Sequence, residues 1–185
     1  GHDVFVIDCA QPNSKDHNKA KSTRIISNYS RVYKNSNITL VRPPALLIKG
    51  LNRITHFFSC KKIIEKIILE EEIEKIFLYG SITNGIQTIQ VAQEKNIPVV
   101  YRLLDISHGL INIPIVKQIA KKIESKVISN ANLVLTTTKD LKRYAIEMNA
   151  KQKNVEMFPL GINIKDFKPL EKSSELKKEL EIKEI

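Results

Sequence analysis

Residues 97–114 read IPVVYRLLDISHGLINIP. Ile97, Val99, Val100 and Tyr101 run apolar without alternation, which is the pattern of a parallel strand covered on both faces. The segment then turns polar: Arg102, Asp105, Ser107 and His108 follow where the strand gives out, and Gly109 lets the backbone turn. In open α/β sheets, ligands bind outside the carboxyl ends of the strands. This stretch is therefore expected to form the ligand-facing edge of the chain.

Working outward, the pattern alternates strand and helix. On the N-terminal side, KIFLY (75–79) is a buried strand that breaks at Gly80-Ser81-Ile82-Thr83-Asn84-Gly85. Thr83 or Asn84 can cap a helix over 86–95. On the C-terminal side a helix is expected over 115–129, with Val116, Ile119, Ala120, Ile123 and Val127 inward. Leu133 to Leu135 is a strand closed by Thr136, Thr137 and Thr138, and Thr138 or its predecessor can cap a helix through Met148. A last strand spans 155–158. Near the start, 4–7 is a short strand, 11–24 a polar basic loop, and 38–41 a strand ended by Arg42-Pro43-Pro44. Leu46 to Phe58 and the segment around Ile63, Ile64, Ile67 and Ile68 are two amphipathic helical stretches. The series is βαβ, so the expected fold class is α/β: a Rossmann-like parallel sheet with helices on both faces.

The 185 residues suit one domain with a real core. Apolar residues make up 42% and charged residues 27%, an ordinary balance for a globular chain. No run of about 18 uncharged apolar residues suggests a membrane span, and no charged n-region followed by an apolar stretch opens the chain. Cys9 and Cys60 lack metal or redox spacing, so reduced, buried thiols are expected. The net charge of +10 favours an anionic partner, such as a phosphorylated small molecule or anionic headgroups. A solvated lysine-rich surface explains it equally well. Basic stripes interleaved with aromatics are missing, so nucleic acid is not the expected partner. Residues 11–24 and 46–58 are candidates for peripheral contact with an anionic membrane, on the cytoplasmic face of a cytoplasmic protein.

For chemistry, Asp105 is the most telling side chain. It either pairs with Arg102 to fix the loop, or binds a hydroxyl or handles a proton, with His108 as a second candidate. Asp105, Ser107 and His108 do not make a hydrolytic triad by nearness in sequence, and no G-x-S-x-G elbow accompanies them. The four histidines are scattered, which gives no metal site. Neither G-x-G-x-x-G nor a P-loop occurs. Gly80 to Gly85 is the nearest approach to a phosphate cradle at a helix N-terminus, and a plain strand-to-helix turn fits it as well.

Residues 131–169, ANLVLTTTKDLKRYAIEMNAKQKNVEMFPLGINIKDFKP, resemble the crossover region of glycosyltransferase family 4. There a strand, a threonine or serine, a helix and a PxGxD…FxP element close the first domain. Pro159, Gly161, Asn163, Phe167 and Pro169 stand at that element, with Asn163 where aspartate is usual. GHDVFVI is similar to the family's second strand, IPVVYRLLDISH to its PVVYRxxD strand and loop, and LYGSITNGIQTIQVA to the strand and helix before it. The resemblance covers nearly the whole chain.

It implies the acceptor-side half of a retaining GT-B enzyme. Such an enzyme has two Rossmann-like domains, a nucleotide-sugar donor as co-substrate, a glycosyl acceptor and no bound metal or other cofactor. Residues 1–170 would be the N-terminal domain, and 171–185 a linker and first helix leading to a second domain. Asp105 or His108 would orient an acceptor hydroxyl, and Arg102 would support the loop or meet phosphate. Ser81, Asn84, Thr137, Gly161 and Asn163 would line the cleft beside them. The family's first strand and glycine-rich loop would lie before Gly1, so these 185 residues alone are expected to be inactive. A strand absent between the second and fourth would leave a gap of roughly 10 Å. Direct pairing of 4–7 with 75–79, or a strand swapped in from a second copy, is expected to close it. The competing class is a non-catalytic Rossmann-like or flavodoxin-like module for an anionic ligand.

Overall fold

The computed structural model describes residues 2–8, 22–29, 36–44, 51–165 and 167. Cys9, most of the basic loop, residues 45–50 at the start of the first predicted helix, and the tail from residue 168 lie outside the described residues, as does the proposed linker at 171–185.

The element order is β1 (Val4–Ile7), β2 (Arg24–Ile26), β3 (Ile38–Arg42), α1 (Leu51–Glu70), β4 (Ile76–Tyr79), α2 (Gly85–Glu94), β5 (Val99–Leu103), α3 (Pro114–Asn130), β6 (Leu133–Thr136), α4 (Lys139–Glu147) and β7 (Val155–Met157). Strands β4-β5-β6-β7 form an all-parallel sheet in that order. The fold is α/β and Rossmann-like, as the alternating pattern requires. A second, three-stranded sheet has the order β1-β3-β2, with β1 parallel and β2 antiparallel to β3. No helix among the described residues is long and apolar enough to cross a membrane.

Local chemistry sets the ends of the helices. Pro114 opens α3, where its missing N–H is harmless. Thr138 caps α4, its hydroxyl accepting from the Leu141 N–H at 3.2 Å. Asn84 holds the N-cap position of α2 but makes no side-chain cap bond. Instead the Thr88 hydroxyl donates to the Asn84 carbonyl at 2.8 Å. Asn96 (φ 57°) and Asn149 (φ 72°) follow α2 and α4 in the left-handed region, which asparagine tolerates.

Register explains the core of the larger sheet. Leu78, Tyr101 and Val134 are paired in turn, and Val134 pairs with Val155, so the four point to one face. All are buried, in one cluster with Ile89 and Ala92 of α2, Val127 and Ile128 of α3, and Ala145 of α4 with Met148 just beyond it. Burying such a side chain contributes about 1.5–3 kcal/mol. The alternate row, Tyr79, Arg102, Leu135 and Glu156, points the other way. Gly85 is where α2 meets α3: a Cβ there would lie 2.8 Å from Val127 Cγ2. That close helix approach accounts for the second glycine of the Gly80–Gly85 turn without a ligand.

Three expectations change. The predicted segments 46–58 and 63–68 merge, from Leu51 on, into the single 20-residue helix α1. Helix α3 buries Ala120, Glu124, Val127 and Ile128, whereas Val116 and Ile119 are exposed. The buried stripe is rotated to the face that packs on the strand core and on the turn after β5. The direct closure of the sheet does not form: among the described residues β1 pairs only with β3 and β4 only with β5. Ile7 of β1 and Ile76 of β4 pack instead on one cluster of Cys60, Ile64, Ile68 and Val91, built from α1 and α2. The helices thus bridge the two sheets without backbone pairing between them. Strand β2 was also not expected; it lies just past the basic loop and pairs with β3 through Arg24–Ile26.

Candidate functional site

The carboxyl ends of β4, β5 and β6 lie side by side. Ser81 and Asn84 follow β4, Asp105, Ser107 and His108 follow β5, and Thr137 follows β6. Gly80, at φ 82°, makes the turn out of β4. After β5 the chain runs through an exposed Asp105 into a 3₁₀ turn over Ser107–Leu110. That turn packs on α3.

Glu124, wholly buried on α3, gathers the turn. Its Oε1 accepts the Ser107 backbone N–H at 3.0 Å. Its Oε2 lies 2.6 Å from His108 Nδ1 and 2.9 Å from the Tyr144 hydroxyl, which donates to it. Tyr144 Oη is also 3.3 Å from His108 Nδ1, with the rings tilted at 31°. Burial, reinforced by the Glu124 carboxylate, holds the Tyr144 phenol above its usual range. Tyr101, next on β5, is pushed up to about 12 by burial, while the Ser81 and Ser107 hydroxyls pull it partly back. Ser81 is itself fully buried, and its Oγ makes no hydrogen bond of ordinary geometry. The result is a polar cluster under the helices, built from two strand ends, those of β4 and β5, and two helices.

Arg102 belongs to the other face. Its register with Tyr79 and Leu135 sends it away from Tyr101 and Glu124. Its guanidinium lies 4.7 Å from the centroid of the Phe158 ring, and Phe158 is tied down by its N–H to the Thr136 carbonyl at 2.7 Å. Arg102 is 6% exposed, and its Nη1 has no hydrogen-bond partner. The ion pair with Asp105 considered from the sequence is not among the salt bridges of the described residues. Gly161 and Asn163 are exposed beyond β7. Asn163 Oδ1 accepts the Lys165 N–H at 3.1 Å, a turn bond that an aspartate carboxylate makes equally well.

The structure thus brings His108, Ser107 and Ser81 to one cluster and leaves Arg102 on the opposite face. Sequence reasoning missed Glu124, Tyr144 and the hydroxyl of Tyr101. A signal for Glu124 was present: it stands four residues after Ala120 and three before Val127, on the buried stripe of α3. An acidic residue on such a stripe needs donors.

Among the described residues no group of three or more His, Cys, Asp and Glu side chains could hold a metal ion. His56 and Cys60 are buried on α1 with Nδ1 and Sγ 3.5 Å apart. Burial holds the His56 imidazole below its usual range, against a smaller upward pull from Asp8.

These features define a Rossmann-like α/β protein with a polar cluster at the carboxyl edge of its parallel sheet. No family model and no curated protein matches the chain.

Proposed function

We propose that the chain is the acceptor-side domain of a retaining GT-B glycosyltransferase similar to family 4, using a nucleotide-sugar donor. The observation that carries this reading is that Ser81, Asn84, Asp105, His108 and Thr137 all follow the carboxyl ends of three neighbouring parallel strands. Of the residues in the family resemblance, Asp105 and His108 follow one of these strands, whereas Gly161 and Asn163 lie beyond β7. Among the described residues β1 and β4 each leave one edge unpaired over one helical cluster, which supports the implied strand order with a further strand between them. Asp105 or His108 orients the acceptor hydroxyl, and Arg102 with Phe158 holds the strand end. The proposed setting is cytoplasmic, with peripheral contact to anionic lipid.

The test is transfer by the full-length protein against a panel of nucleotide sugars. Asp105→Ala should cut kcat by about 10²-fold. Because Asp105 is exposed, Tm should hardly move. Parallel losses of rate and Tm would assign Asp105 a structural role, and no transfer from any donor would reject the reading.

A second reading, a binding module for an anionic ligand, is favoured by one observation: the buried Arg102 Nη1 without a partner. Calorimetric titration with inorganic phosphate or a nucleotide, on wild type and Arg102→Gln, distinguishes it. Binding without turnover, lost in Arg102→Gln, would support the module.

A further inference from the structure

We propose that Glu124 and Tyr144 are positioning residues that fix the His108 imidazole with its proton on Nδ1, leaving the Nε2 lone pair to accept a hydrogen bond from a ligand hydroxyl. The argument starts from Glu124. Its side chain has no exposed surface, so its oxygens need donors from the protein. They face three: the Ser107 N–H, which can only donate, the Tyr144 hydroxyl, and His108 Nδ1. A carboxylate only accepts, so Nδ1 must carry a proton. A neutral imidazole with a proton on Nδ1 has an acceptor at Nε2.

That second nitrogen has no partner among the described residues, yet it is not a buried orphan atom. The His108 side chain keeps 11% of its surface exposed, so Nε2 reaches solvent at the carboxyl edge of the sheet. Tyr144 approaches both the carboxylate and Nδ1, which closes the pocket against rotation of the ring. The 3₁₀ turn that carries His108 is pinned by the Ser107 N–H to the same carboxylate. One buried acid therefore sets both the position and the tautomer of His108. This selects a hydroxyl donor over an anionic ligand, because a lone pair at Nε2 repels phosphate or carboxylate oxygen.

The tautomer does not depend on the transferase reading, whereas the nature of the hydroxyl does. The experiment separates them. Long-range ¹H–¹⁵N correlation spectra of the ¹⁵N-labelled 185-residue chain, taken above the ordinary histidine range of about 6.5, report which ring nitrogen holds the proton. The expected result is Nδ1–H for His108, retained in Tyr144→Phe and lost towards Nε2–H in Glu124→Gln. Thermal melts check that each variant folds. Nε2–H or a doubly protonated ring in the wild type overturns the proposal without recourse to any variant. So does a Glu124→Gln spectrum identical to that of the wild type. In the full-length protein, Glu124→Gln should lower kcat while leaving the donor KM within about twofold. A donor KM that rises with kcat unchanged would place the His108 contact on the donor and overturn the assignment to the acceptor hydroxyl.

Discussion

The two sheets are built from similarly apolar strands and end with very different burial. VFVI of β1 and IFLY of β4 could exchange places on hydropathy alone. The four-stranded sheet nevertheless supports a continuous core that runs from Leu78 to Val155 and takes in three helices. In the three-stranded sheet only Leu40 and Val41 are buried, while Val4, Val6 and Ile25 are exposed. The difference lies in the crossovers. Each connection between β4 and β7 is a helix that returns over the same face, so every strand adds to one layer. In the smaller sheet, β2 pairs with β3 in the antiparallel sense, and among the described residues no helix covers the face of Ile25, which is exposed. The larger sheet can thus hold a polar cluster away from water; the smaller cannot.

The largest test of this contrast is a pair of truncations. Leu103→Ala in the core of the larger sheet should cost about 2–5 kcal/mol in urea unfolding. Leu103 is fully buried. If this change costs no more than an exposed one in the smaller sheet, the contrast in packing is wrong.

Next comes alkaline stability, which reads the polar cluster itself. Tyr101 in the folded chain titrates at about 12, above its unfolded value of about 10. Between these values the unfolded chain has lost the proton that the folded chain keeps. The stability is therefore complete below about pH 10 and falls as pH rises towards 12, by about 2–3 kcal/mol in all. Tyr144 moves in the same direction. Tyr101→Phe should flatten this decline, and an unchanged alkaline slope in that variant would argue against the buried phenol.

A smaller effect is expected on the other face. Phe158→Ala removes the ring beside Arg102 and should cost about 0.5–1 kcal/mol, as a cation–π contact with an exposed ring does. A loss as large as that of Leu103→Ala would mean that this face is as tightly built as the helix-covered one. The smallest change is Ile25→Thr on β2, which is 62% exposed. It should stay within about 0.5 kcal/mol of wild type.

Much of the fold was legible because local rules act over a few residues. The uninterrupted apolar run before Arg102, the threonines after Leu135 and Pro114 ahead of an apolar repeat each name an element and one of its ends. The merged helix α1 was harder to read, since its apolar residues drift around the axis and leave no clean break or continuation. Strand β2 is only three residues long, and its partner β3 supplies the reason for its existence.

At the strand ends, sequence reasoning named part of the polar cluster. His108 and Ser81 were named, and both reach the Tyr101–Glu124 region. An ion pair with Arg102 was one of two readings of Asp105, but alternation along β5 sends Arg102 to the face away from Tyr101 and Glu124. Glu124 and Tyr144 were passed over because their partners lie 16 to 36 residues away.

What the chain by itself determined is the order of strands and helices and the polar break after Tyr101, because these follow from side-chain period and from backbone limits at proline, asparagine and threonine. Only the tertiary structure decided which face each residue occupies and that a buried acid meets a histidine and a tyrosine. Those outcomes depend on strand register and on the packing of α3 and α4, which act between residues far apart in sequence.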